Sequence, residues 1–265
     1  MSSRCQYCGR ELPTKDFAPF GMRPMLITMP CDCEQAQTAA MEEREREERE
    51  ERANAFSEVW SRSDVPERFM HVESDFDMAR PLFDGKWLYI CGSNGVGKTR
   101  SACQAAKAYL VRNTKRDVVR DRHGERLGSM RCRVSFHFTE SQGLLSEVTS
   151  SWDRWGMSEA QVKSRWVGVD LLVLDDFGKG VPSEWAAETL FEILNRRWAA
   201  NNERGSRTHK DRLTIITSQY CTGELADRYR KAGRETLSAM ISRLEGECEV
   251  RSMEGPDRRT LFSNE

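Results

Sequence analysis

From Gly85 onward, short apolar runs alternate with stretches of helical periodicity. "KWLYICG" is apolar at nearly every position, the mark of a strand buried on both faces, and it runs directly into a glycine-rich turn. Behind it, "KTRSACQAAKAYLVRN" places small and apolar residues at helical spacing. "RCRVSFHFT" predicts a second strand, and "SQGLLSEVTSSW" the start of another helix. "VDLLVLDDFG" is an apolar strand that ends in two acids. "SEWAAETLFEILNRRWAAN" is helical throughout, and "RLTIITSQY" is a fourth strand. Strands alternating with helices predict an α/β protein, with a mostly parallel sheet covered on both faces in a three-layer αβα core.

The pattern upstream is different. Residues 1–36 show little periodic hydrophobicity. Residues 34–60 are helix formers almost throughout, and from 41 to 53 the chain is nearly all Glu and Arg. Glu42–Arg46, Glu45–Arg49 and Glu48–Arg52 set an acid four residues before a base, the favourable order on a helix. No apolar stripe crosses this run, so it predicts a solvated single helix rather than a coiled coil, with a flexible charged linker as the alternative. In "SDVPERF", Pro66 suits a first helical turn, with Ser63 or Asp64 as its cap. The expected organisation is a small module over 1–36, a charged helical linker over 37–60 and an α/β domain over 61–265.

Composition narrows the function. A chain of 265 residues can bury a full α/β core with length to spare. Charged residues make up 31% and the net charge is −1, so no global field draws the whole chain onto nucleic acid. No segment approaches the roughly eighteen uninterrupted apolar residues of a membrane span, and the N-terminus lacks a secretory apolar core. A cytoplasmic protein with no membrane partner is expected.

Of nine cysteines, five are scattered and suit free thiols in a reducing compartment. Cys5, Cys8, Cys31 and Cys33 form two close pairs separated by 22 residues. Two pairs of soft ligands suit a tetrahedral structural zinc site, and so short a segment with few large apolar groups needs such a staple. Two disulfides or an iron–sulfur cluster are the alternatives.

"GSNGVGKT", Gly92 to Thr99, carries the pattern Gly-x4-Gly-Lys-Thr between a strand and a helix, the context in which a phosphate-loop match is credible. Its nucleotide-binding set is Gly92, Ser93, Asn94, Gly95, Val96, Gly97, Lys98 and Thr99. Backbone N–H groups and the helix dipole favour phosphate oxygens. Lys98 is expected to reach the β- and γ-phosphates of ATP, and Thr99 to offer its hydroxyl to Mg²⁺. In "LLVLDD", Asp175 is placed to hold Mg²⁺ and Asp176 to orient or deprotonate an attacking water. An acid beside the metal-holding acid points to hydrolysis rather than to phosphorylation of a small acceptor.

Together with "VPERF", "GSNGVGKT", "LLVLDDFG", "LFEILNRRW", "TIITSQY" and "ISRLEGECEV…GPDRR", these segments resemble the AAA+ ATPases of the DnaC/DnaI bacterial helicase-loader type, with the IstB transposition helper as a relative. The resemblance covers most of the chain. It implies an AAA+ P-loop core without a large lid domain, since only about 45 residues follow the fourth strand. It also implies an ATPase whose γ-phosphate sensor falls on Gln219, where the family usually has Asn. Arg243 of "SRL" corresponds to the arginine finger offered to a neighbouring subunit, hence self-association through the ATP site. Arg258 or Arg259 falls where a further nucleotide-sensing arginine stands. The cysteine-rich N-terminus is similar to that of DnaI-like loaders, which implies a module docking on a replicative hexameric helicase.

Residues 112–133 hold eight Lys/Arg against three Asp/Glu and are expected to form a basic hairpin turning near His123 and Gly124. A second basic cluster is "NERGSRTHKDR". Both are candidates for single-stranded DNA, against the alternative of solvated charged loops. Trp152, Trp155 and Trp166 suit core packing better than base stacking. The expected function is ATP-dependent loading of a replicative helicase onto single-stranded DNA. The alternatives are an IstB-type transposition helper and a nucleic-acid-binding adaptor with a weak ATP switch.

Overall fold

In a computed structural model of the chain, the structure describes residues 4–17, 25–116, 119–120, 126–151, 156–180, 182–202, 211–233 and 235–257. The chain divides into two compact units, Met1–Asn54 and Ala55–Glu265.

In the first unit, β1 (Thr14–Phe17) and β2 (Met25–Thr28) form an antiparallel pair, with Thr14 opposite Thr28 and Phe17 opposite Met25. Helix α1 (Glu34–Ser61) follows and runs on past the division between the units. Its charged middle is exposed on all sides, as a Glu/Arg run without an apolar stripe requires. The character changes at the helix end, where Phe56 and Trp60 are buried in the core of the second unit. Trp60 stacks on Phe136 with ring centroids 5.4 Å apart, and its indole N–H donates to the Met70 carbonyl at 3.0 Å.

The helix start expected at "SDVPERF" is a single 3-10 turn, Glu67–Phe69, with Pro66 at its N-cap and no side-chain cap. The reason is local competition. Ser63 donates its hydroxyl back to the Trp60 carbonyl, and Asp64 faces His137 at 3.5 Å. Beyond this turn come the short helix α2 (Arg80–Phe83), strand β3 (Trp87–Gly92) and helix α3 (Lys98–Asn113).

An insertion follows α3. Strand β4 (Thr114–Arg116), the two-residue strands β5 (Val119–Arg120) and β6 (Arg126–Leu127), and β7 (Met130–Cys132) nest as antiparallel pairs. Thr114 lies opposite Cys132, and Val119 opposite Leu127. The basic stretch is thus a hairpin, while His123 and Gly124 lie outside the described residues. The single strand expected over "RCRVSFHFT" is two: β7 closes the insertion, and β8 (Phe136–Glu140) enters the main sheet. Arg133, Val134 and Ser135 break the pairing between them.

The remainder alternates as the periodicity requires. Helices α4 (Ser141–Ser150) and α5 (Glu159–Gly168), strand β9 (Leu171–Phe177), helix α6 (Glu184–Asn202) and strand β10 (Leu213–Ser218) lead to α7 (Thr222–Lys231), α8 (Glu235–Glu247) and β11 (Cys248–Met253). Helix α5 opens on a capping box between Ser158 and Gln161. Five strands form one parallel sheet in the order β11-β3-β10-β9-β8. Consecutive residues of β3, β9 and β10 are buried, so both faces of the sheet are covered, as in a three-layer αβα core. Among the described residues, the chain after β10 forms only α7, α8 and β11, and no separate lid. No described helix is long and apolar enough to cross a membrane.

Arg197 of α6 is fully buried beneath the sheet's rim. Its guanidinium donates to the carbonyls of Trp166, Val169 and Leu213 at 2.6–2.8 Å and to the Thr214 hydroxyl at 3.1 Å. One side chain thereby joins α6, the turn before β9 and the start of β10. Arg197→Ala is expected to cost about 3–5 kcal/mol, because it leaves several buried carbonyls unpaired. Arg197→Lys recovers little, since an ammonium has three donors and no planar fork. Denaturant titration of the two variants checks both statements.

Candidate nucleotide-binding site

The loop between β3 and α3 is built by glycines in conformations that other residues rarely adopt. At Gly92, with φ +145°, a Cβ would lie 2.1 Å from the Met253 carbonyl oxygen of the neighbouring strand β11. At Gly95, with φ +78°, it would lie 1.7 Å from an Asp257 carboxylate oxygen. The chain beyond β11 therefore rests on the loop. Ser93, Asn94, Val96 and Gly97 complete the turn, and Gly97 is the N-cap of the sixteen-residue α3. A helix start of this length presents free N–H groups and a positive dipole end, which suit a phosphate. Lys98 is buried and folded over its own loop, donating to the carbonyls of Gly92 and Ser93, each at 2.8 Å.

Opposite the loop stands Asp175. It is buried at the end of β9 and accepts from the Thr99 hydroxyl at 3.0 and 3.1 Å and from the Thr217 hydroxyl at 2.5 Å. Burial pushes its pKa above the ordinary carboxylate range, and the two threonine hydroxyls hold part of that shift back. Thr99 and Asp175 are thus brought into direct contact. A hydroxyl and a buried carboxylate beside a phosphate loop are the hard oxygen donors that Mg²⁺ takes, so the residues present fit that ion.

The register between β9 and β10 explains how two consecutive acids share one place. Ile216 pairs with Leu174, but Ser218 pairs with Phe177. Two residues of β9, Asp175 and Asp176, therefore face one residue of β10, Thr217, in a β-bulge. Asp176 has φ +54° and is the one described non-glycine residue at positive φ. Its backbone N–H donates to the Thr217 hydroxyl at 3.1 Å, and its carboxylate pairs with Lys179 at 3.1 Å. Backbone strain held in place by hydrogen bonds is typical of working sites. Thr217 joins both acids, yet sequence reasoning passed over it. Its signal was a polar residue at the end of an apolar strand, opposite the acid pair.

The other expected residues are placed as follows. Gln219 directly follows β10 and is half-buried. Arg243 lies in α8, with its side chain outside the described residues, as are Arg258 and Arg259. Trp166 is buried in the core, while Trp152, Trp155 and most of the second basic cluster lie outside the described residues.

In the first unit, the thiols of Cys5, Cys8, Cys31 and Cys33 all lie within 4.8 Å of one another. Cys5 and Cys33 are 3.8 Å apart, and Cys8 and Cys31 3.5 Å. A zinc ion with four sulfurs at about 2.3 Å sets them about 3.8 Å from one another, so the cluster fits that ion. The Arg10 backbone N–H, and then its guanidinium, draw the Cys8 thiol down to about 6, toward the thiolate that a metal binds. Gly9, at φ +72°, turns the chain so that its N–H reaches the Cys5 carbonyl at 2.9 Å.

Two measurements test these sites. Because its folded pKa is raised, Asp175 favours the native state while protonated and opposes it once pH rises through that pKa. Asp175→Asn is therefore expected to melt a few degrees higher than the native chain at neutral pH without divalent cation, because the amide has no charge to bury; a lower melting temperature overturns this account. The purified chain is expected to carry one zinc per molecule by atomic absorption, and Cys31→Ser to carry substantially less.

No family model matches the chain, and no curated protein matches it. Solved structures do. The DnaI crystal structure matches at TM-score 0.51 and 18% identity, over 72% of this chain and 96% of that one. AMPPCP-bound DnaA from Aquifex aeolicus matches at TM-score 0.50 and 15% identity, over 75% of this chain and 55% of that one. The DnaC helicase loader is also matched, at TM-score 0.46 and 19% identity, over 68% of this chain and 87% of that one. This chain thus spans nearly all of the DnaI structure but little more than half of the DnaA structure. It shares the fold of DnaI and of DnaA over these spans.

Proposed function

We propose that the chain is an ATPase that loads a replicative hexameric helicase onto single-stranded DNA, hydrolysing ATP between its own copies. The observation that carries this reading is the contact of Thr99 and Thr217 with the buried Asp175 beside a glycine-built phosphate loop. The DnaI-like fold and the ordered motifs from "VPERF" to "GPDRR" support the loader assignment.

In this reading the backbone N–H groups of Gly95 to Thr99 cradle the phosphates of ATP. The Lys98 ammonium leaves the Gly92 and Ser93 carbonyls for the β- and γ-phosphate oxygens. Thr99 and Asp175 hold Mg²⁺, which when bound neutralises charge on those phosphates. Asp176 orients the attacking water, and Gln219 senses the γ-phosphate. Arg243 reaches the ATP of the adjacent copy, which makes turnover depend on assembly. The four-cysteine module holds the helicase, and the basic hairpin between α3 and β8 follows the DNA backbone by counterion release.

One observation favours a second reading, an adaptor with a slow ATP switch. The carboxylate of Asp176 is already engaged by the Lys179 ammonium at 3.1 Å, which competes with an attacking water for it. Turnover stimulated by single-stranded DNA separates the two readings. Lys98→Ala and Arg243→Ala are each expected to lower it by at least ~10²-fold. Equal turnover in both variants and the native chain removes the enzymatic reading. Capture of a hexameric helicase by the full chain, lost when residues 1–36 are deleted, tests the loader assignment.

A further inference from the structure

Two cysteines 130 positions apart meet at the back of the nucleotide site. Cys91 is the residue of β3 just before Gly92, and Cys221 is the N-cap of α7, two residues after Gln219. Their sulfurs are 2.8 Å apart. The parallel pairing of Cys91 with Ser218 fixes this meeting, because the turn after Ser218 carries Cys221 back over the strand. Tyr89 reinforces the turn by donating its hydroxyl to the Tyr220 carbonyl at 2.9 Å, and the Cys221 backbone N–H donates to Glu224 at 3.1 Å. Cys91 is fully buried, whereas Cys221 is half-buried. No bond joins them, since both are free thiols.

We propose that Cys91 and Cys221 are a reversible disulfide site, through which a mild oxidant such as hydrogen peroxide locks the turn carrying Gln219 to the strand that launches the phosphate loop. Closing the sulfurs to about 2.05 Å needs a movement of under about 1 Å, within what a turn and a helix start absorb. The half-buried Cys221 reacts first. Its thiolate attacks peroxide, forming a sulfenic acid and releasing hydroxide, which takes up the thiol's proton as water. The Cys91 sulfur then displaces the sulfenic hydroxyl, gives up its proton, and a second water leaves. Two thiols and one peroxide yield one disulfide and two waters, a two-electron oxidation that a dithiol reductant reverses. Burial pushes the Cys91 thiol up to about 12, which leaves the first attack to Cys221.

The consequence for turnover rests on the nucleotide-site reading above. The disulfide spares Gly95 to Thr99 but immobilises the segment that follows the γ-phosphate, so hydrolysis slows while nucleotide binding persists. In the test, the zinc-loaded full chain is treated with hydrogen peroxide, quenched, alkylated and mapped by mass spectrometry without reduction. A Cys91–Cys221 peptide two hydrogens lighter is expected, lost on adding dithiothreitol and absent from Cys221→Ser. The oxidised native chain is expected to melt several degrees higher and turn over ATP several-fold slower than when reduced, with Cys221→Ser indifferent to peroxide in both. Both thiols remaining alkylatable after oxidant, or either one joined to a different cysteine, overturns the proposal. Unchanged turnover in a fully cross-linked chain overturns its regulatory half. Failure of the reduced chain to bind nucleotide at all refutes the nucleotide-site reading instead, and the cross-link result still decides the disulfide.

Discussion

A carboxylate at the end of an apolar strand has to be compensated, and at Asp175 the compensation comes from two other elements at once. Thr99 approaches from the first turn of α3 and Thr217 from the last residues of β10. Because β10 lies between β3 and β9 in the sheet, these contacts fix how the phosphate loop faces the acid strand. The bulge in β9 makes this possible. In a regular strand, consecutive acids point to opposite faces; here the extra residue sets both against Thr217, with the strain concentrated in Asp176. Burial opposes the charge on Asp175, so a cation that takes over that charge is favoured by the same geometry.

The two units solve different stability problems. The larger has a sheet with both faces covered and a continuous core that reaches from Phe56 to Leu244. The smaller leaves Phe17, Met25 and Leu26 exposed on its hairpin, and its described buried residues are two of the clustered cysteines, Cys5 and Cys31. Such a segment gains little from apolar burial, and a metal held by the four converging thiols would supply what the core lacks.

Much of this was legible in the sequence because it is local. Helix α3 begins and ends where the small-residue periodicity does, and the apolar run before Asp175 is strand β9. The cysteine pairs were readable from spacing, and the basic stretch between α3 and β8 pairs as a hairpin, with its expected turn at His123 and Gly124 outside the described residues. What escaped the sequence depends on pairing between distant segments. Thr217 matters only through the irregular register of β10 against β9, and the meeting of Cys91 with Cys221 only through the parallel register of β3 and β10. The split of "RCRVSFHFT" escaped for a related reason. Its first half pairs with the chain after α3, its second with β9, and no periodicity distinguishes those partners.

The insertion between α3 and β8 leaves and re-enters the core through adjacent positions, Thr114 beside Cys132. Among the described residues, this two-stranded stem is what links α3 to the core strand β8. Closing a longer or shorter excursion changes the chain entropy only as the logarithm of its length, about 0.6 kcal/mol for each doubling. The stem is thus a grafting point. Length and charge beyond it are free to drift without disturbing the Thr99–Asp175–Thr217 contact.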